Sequence, residues 1–172
     1  MAPRRTIAGL LAAPVLVLTG CGGGSSVADP PVQSSPTSSP TSGPPAHETA
    51  EHFIRRWAEA EKQMENTGIT KPYLALSKGC RACTTLAHLV SRYYSKGGFI
   101  VWGGWRILSI KKYPSSRNDV SFAVRSSSAP TRYKSSADAK VQRLGGGRIT
   151  YVLTLALEDS SFLVTSKAQL GA

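Results

Sequence analysis

Acid is what this chain has least of. It carries 10 Asp and Glu against 21 Lys and Arg, a formal charge of +11 over 172 residues. No acid lies between Glu65 and Asp119, and there are only three histidines. A zinc site, which needs about four ligands, has few donors to draw on. Long apolar runs are missing too. The longest, residues 6–20, falls short of the roughly 20 residues that a membrane-spanning helix needs, and Pro14 interrupts it. Cysteine is limited to Cys21, Cys80 and Cys83.

What is present begins with an export pattern. Residues 1–20 hold no acid, two basic residues (Arg4 and Arg5) and then "TIAGLLAAPVLVLTG". A basic start, a short apolar core and small residues before a break describe a secretory signal. Leu18-Thr19-Gly20-Cys21 resembles the bacterial lipobox, in which the thiol is diacylated and the chain is cut before it. Two acyl chains hold a protein stably where one does so only marginally. The expectation is a lipidated Cys21; a plain cleaved signal with a cysteine beside the junction is the alternative. Export by the general secretory and by the twin-arginine route both stay open. Residues 22–45 are 19 of 24 Gly, Ser, Thr or Pro. They are too poor in apolar side chains to offset the entropy of ordering. They read as a disordered tether, roughly 27 Å end to end as a coil and about 75 Å as polyproline II.

Residues 46–172 suit one globular domain. In "AHETAEHFIRRWAEAEKQMENTG", Ala50, Phe53, Ile54, Trp57, Ala60 and Met64 recur at three- and four-residue steps, which predicts an amphipathic helix stopping at Gly68. "KPYLALS" allows a short second helix. From about Cys80 a third runs to Gly97-Gly98, with Leu86, Leu89, Val90 and Tyr93 on one side. The period then changes to two. "GFIVW", "WRILSIKKY", "DVSFAVRS", "RITYVLTLAL" and "SSFLVTSK" read as strands, the fourth with Ile149, Tyr151, Leu153, Leu155 and Leu157 on one face. Gly103-Gly104 suggests a bulge or tight turn, and Gly145-Gly146-Gly147 a hairpin tip. The predicted class is α+β: two or three N-terminal helices packed on a curved antiparallel sheet.

"FIRRW", "YLALSKGCRAC" and "YYSKGGFIVWGGW" carry a resemblance. Over residues 50–165 the chain resembles an actinobacterial secreted lipoprotein family of unknown function, with a nuclear transport factor two-like cone fold. The resemblance implies lipid anchoring and the cone; it implies no reaction.

In an oxidising location Cys80 and Cys83 default to a disulfide. At i, i+3 in the first turn of a helix their α-carbons would lie about 5–6 Å apart. A thiol redox pair is the sharper alternative, but "LSKGCRAC" lacks the strand–CxxC–helix setting such a pair needs. A metal site would have to recruit His88 and little else.

Tyr93, Tyr94, Phe99, Trp102 and Trp105 read either as core or as the lining of a ligand pocket in the cone mouth. Trp57, Tyr94, Trp102 and Trp105 are the candidate pocket residues. Candidate catalytic bases are poor: Asp119 in a turn, Asp138 in a polar loop, Glu158-Asp159 at a hairpin tip, and His52 and His88 on helices with no acid placed beside them. Removing Arg4 and Arg5 with the signal lowers the formal charge from +11 to +9. Lys71 to Arg148 holds 15 Lys and Arg and two acids, so one side of the domain should be basic. Nucleic acid fits that charge but not the expected location; anionic lipids, wall polymers or an envelope protein do. The sequence thus predicts a non-catalytic, lipid-anchored binding or scaffolding domain at the outer face of the plasma membrane, with no cofactor. A small-molecule binder or enzyme using the aromatic mouth, and a thiol redox protein, are the alternatives.

Overall fold

The computed structural model describes residues 48–115 and 119–171. The expected signal, Cys21, the tether to residue 45 and the turn at Asn118 lie outside the described residues. Among the described residues, no helix is long and apolar enough to cross a membrane.

The first helix, α1 (Ala50–Thr67), starts where Thr49 accepts a hydrogen bond from the His52 amide (3.2 Å). It ends at Gly68, whose φ of 75° suits the left-handed cap and whose N–H donates to the Met64 carbonyl. Two more helices follow, α2 (Lys71–Ala75) and α3 (Arg81–Ser95). Among the described residues seven strands follow: β1 (Phe99–Trp102), β2 (Trp105–Tyr113), β3 (Val120–Ser128), β4 (Thr131–Lys134), β5 (Gln142–Leu144), β6 (Gly147–Glu158) and β7 (Ser161–Gln169). The α+β arrangement expected from the sequence is the one that forms.

All strand pairs are antiparallel, in two sheets ordered β1-β4-β5 and β2-β3-β6-β7. The orders run in step: β1 continues into β2, β3 into β4 and β5 into β6, each across two residues. Those corners are Gly103-Gly104, Ala129-Pro130 and Gly145-Gly146. One curved sheet is thereby folded along a line, with the strand ladders divided at the bend. Gly104 holds a φ of 88°, and its carbonyl accepts from the Ala129 amide (3.2 Å). A Cβ on Gly146 would collide with the Ser128 carbonyl and the Pro130 nitrogen. Gly145-Gly146-Gly147 is therefore a sheet-to-sheet corner and not the expected hairpin tip, because β5 pairs with β4 and β6 with β3. The Asp159-Ser160 tip between β6 and β7 is a true hairpin turn, with both residues at positive φ.

Helix α1 packs on β1 and β2, and α3 on β7 and β1. Phe53, Ile54, Trp57 and Met64 of α1 meet Tyr73, Val90, Phe122, Val124, Tyr151, Leu153, Leu155 and Val164 in a buried core. Each such side chain contributes about 1.5–3 kcal/mol on burial. Leu157, expected on the same face as Tyr151, Leu153 and Leu155, is exposed. The register shifts between Thr154 and Leu155, and Leu157 lies near the end of β6, beside the Asp159-Ser160 turn. On α3 the buried positions are Cys83, Ala87 and Val90, whereas Leu86, Leu89 and Tyr93 are half-buried.

Candidate functional site

Those half-buried α3 residues face a hollow. A cavity of about 410 Å³ lies in the bend of the sheet. Leu86, Leu89 and Tyr93 of α3 form one wall; Ile100 and Trp102 of β1, Trp105 of β2 and Ser128 of β3 form the next. Thr131, Tyr133 and Leu144 close the far side, and Glu65 of α1 lines it as well. Tyr93 and Tyr133 stack across it nearly parallel, with ring centroids 5.8 Å apart. Trp102 and Trp105 meet edge to face at 5.1 Å.

The walls are pinned by side-chain to backbone bonds. Asn66 accepts from the Trp102 amide and donates to the Trp102 carbonyl, both at 2.9 Å. That exchange fastens the end of β1 to α1 beside Glu65. The Trp102 indole N–H donates to Ser128 Oγ (3.1 Å), which fixes its ring plane.

Of the four pocket residues expected from the sequence, Trp102 and Trp105 line the cavity. Trp57 and Tyr94 do not. Trp57 is fully buried among Tyr73 and Tyr151, its indole N–H donating to Ser77 Oγ at 2.9 Å. Tyr94 stands behind the wall. Its hydroxyl donates to the Glu65 carbonyl (3.0 Å) and accepts from the Ile100 amide (3.4 Å), bracing two segments that carry lining residues.

Beneath the cavity lies a charged group that the sequence reading missed. Glu61 is 1% exposed and is paired with Lys167 of β7, with Nζ 2.8 and 2.9 Å from its two carboxylate oxygens. The Trp105 indole N–H (3.2 Å) and the Tyr73 hydroxyl (3.3 Å) donate to the same carboxylate. Lys167 Nζ sits 5.0 Å from the ring centroid of Trp57, 5.3 Å from that of Tyr151 and 5.5 Å from that of Trp105. Burial, then the Glu61 charge, pushes the Tyr73 and Tyr151 phenols well above their ordinary range.

Glu65 follows one turn along the helix. Burial pushes its carboxyl up to about 7; the Glu61 charge adds to that, and Lys167 works against it. Among the described residues, no side chain donates a hydrogen bond to this carboxyl. The signal for both acids was in the spacing. Trp57, Glu61 and Met64 step by four and three along the buried face, so Glu61 belongs to the apolar stripe, and Glu65, one turn beyond Glu61, is half-buried at its edge.

Cys80 and Cys83 lie at disulfide distance, with α-carbons 5.2 Å apart, and both are fully buried at the start of α3. Of the poor candidate bases, Asp138 and Glu158-Asp159 lie away from the cavity, and Glu158 pairs with Lys78 at 2.6 Å. His52 is bonded to Glu48 (2.9 Å) on an exposed face. Among the described residues, no group of three or more His, Cys, Asp or Glu is placed to hold a metal ion.

Neither a family profile nor a curated protein matches the sequence. Similarity appears in solved structures. The intermembrane space region of the chloroplast protein ARC6 aligns with a TM-score of 0.51 at 8% identity, over 72% of this chain and 95% of that one. An NTF-2 like protein of unknown function from Shewanella oneidensis aligns at 0.41 and 14% identity, over 70% of this chain and 98% of that one. At such identities the likeness is one of fold alone.

Proposed function

We propose that this chain is a lipid-anchored extracytoplasmic lipoprotein whose domain binds a small molecule in the mouth of its bent sheet. Kinship with the actinobacterial secreted lipoprotein family belongs to the same proposal and rests on "FIRRW", "YLALSKGCRAC" and "YYSKGGFIVWGGW". Support for the anchor is the Leu18-Thr19-Gly20-Cys21 pattern followed by the Gly/Ser/Thr/Pro-rich residues 22–45, which give the domain standoff from the lipid. The single observation that carries the binding role is the cavity. Its 410 Å³ lies within the range of small-molecule sites, and its lining is apolar and aromatic with a few polar groups.

Binding is favoured over catalysis because the lining holds one carboxyl and neither histidine nor cysteine. Proton abstraction by Glu65 is the second reading, since a base titrating near 7 is matched to neutral pH. The buried Cys80–Cys83 pair serves best as a staple, because a redox thiol must be reached by its partner. Anionic lipids, wall polymers or an envelope protein remain the partners that suit the basic charge.

Two measurements test this together. Intact mass of the membrane-extracted mature protein should show a diacylated Cys21 as the first residue. Titration of the full chain with an apolar fluorophore should quench Trp102 and Trp105 emission, and Trp102→Ala should abolish that response. An unacylated terminus removes the anchor, and an unresponsive wild-type protein removes the binding role.

A further inference from the structure

The core already holds one ammonium ion, and the way it does so indicates what the cavity selects. Lys167 Nζ rests between the Glu61 carboxylate and the rings of Trp57, Trp105 and Tyr151. One helical turn on, Glu65 repeats the acidic half of that arrangement. It shares the cavity wall with Trp102, Trp105, Tyr93 and Tyr133, and no described cation pairs with it. Trp105 belongs to both sets, donating its N–H to Glu61 while lining the cavity.

The charged and titratable groups around Glu65 decide the sign of a ligand. Glu61 lies on its own helix, Lys167 comes from β7, and the phenols of Tyr73, Tyr93 and Tyr133 come from α2, α3 and β4. Lys167 is already occupied by both oxygens of Glu61. An anion entering the cavity would meet carboxylate without a free counter-charge. A purely apolar ligand would cover Glu65 and leave it unsatisfied, which is unfavourable for a buried polar group.

We propose, resting on the binding role argued above, that the cavity takes a compact apolar organic ammonium ion. Its charge docks on Glu65 and its carbon skeleton packs on Trp102, Trp105, Tyr93 and Tyr133, as ammonium ions do on aromatic faces. The net charge of +11 means that the attraction is local to the cavity and not a long-range steering field.

The test uses the full chain and two probes of nearly equal shape, benzyltrimethylammonium and its uncharged isostere neopentylbenzene, followed by tryptophan fluorescence and calorimetry. The ammonium should bind at least about tenfold more tightly, the equivalent of one charge-assisted contact. A quaternary ion does not titrate, so any pH dependence belongs to the protein. Its affinity should rise between pH 5.5 and 8.5 as Glu65, held near 7, becomes ionised. Glu65→Gln should flatten that profile and bring the two probes to similar affinity. Equal binding of both probes with a flat profile overturns the ammonium assignment while leaving the binding role standing. Binding of neither probe, with no quenching by an apolar fluorophore, overturns both. Should the Glu65→Gln protein fail to fold, the wild-type pH profile and the isostere comparison still decide.

Discussion

Lys167 of β7 reaches 106 residues back along the chain to place its ammonium group 2.8 and 2.9 Å from the two oxygens of Glu61. The pair is nearly dry, with side-chain exposures of 18% and 1%. Breaking a buried pair by removing one partner leaves an uncompensated charge and costs about 3–5 kcal/mol. Lys167→Met should therefore destabilise the domain by that amount in urea unfolding. Adding Glu61→Gln should restore most of it, since the amide oxygen still accepts from the Trp105 indole N–H and the amide NH2 can donate to the Tyr73 hydroxyl. A double variant no more stable than Lys167→Met would show that the ion pair is not the source of the loss.

Glu65 should make stability fall as pH rises. Its folded-state pKa is raised from about 4.5 to about 7, so the native state binds the proton more tightly than the unfolded chain does. Its contribution is complete below about pH 4.5 and is lost as pH climbs through 7. Glu65→Gln should leave stability unchanged at pH 4 and raise it by about 3 kcal/mol at pH 8, taking the raise from 4.5 to about 7 at 1.36 kcal/mol per pH unit. A gain of equal size at both pH values would contradict this.

Neighbouring glycines at the β5–β6 corner should respond in opposite ways. A Cβ at Gly145 meets nothing within 4 Å, whereas one at Gly146 strikes the backbone at Ser128 and Pro130. Gly145→Ala should stay within about 0.5 kcal/mol of wild type. Gly146→Ala should cost roughly 1–3 kcal/mol, because the collision is with backbone that cannot swing aside. Thermal melts of the two variants give the comparison directly.

Opening the Cys80–Cys83 link should do little. A loop this small contributes about 2 kcal/mol through chain entropy, and both residues are already held in the core. The Cys80→Ala/Cys83→Ala protein should remain folded, with a lowered melting temperature and unaltered probe binding. Loss of the fold would mean that the link does more than restrain the first turn of α3.

The helices were legible because their apolar positions recur at three and four residues, and Gly68 and Gly97 stop α1 and α3 as expected. Strands β4 and β5 were not. "TRYK" and "QRL" are short and basic, with no buried side chain in either, although half-buried Tyr133 and exposed Leu144 line the cavity. Their identity comes from pairing with β1 and with each other across long sequence separations. Of the site, Trp102 and Trp105 could be picked out by composition. Glu61 and Glu65 were passed over because acids on an amphipathic helix ordinarily mark its wet side, and the stepping from Trp57 to Met64 overrides that rule. Lys167 could not be foreseen at all, since nothing local tells a strand lysine that its counter-charge lies on the first helix.

The corner glycines carry a consequence for how this domain could change. Because three strands turn at one crease, and a Cβ on either Gly103 or Gly146 would run into the segment around Ala129, bulk added on the crease would prise the two halves of the sheet apart. The hollow's width is thus set by residues that never touch its contents, and a descendant of this chain could admit a larger guest by altering the fold line while every lining side chain stayed the same.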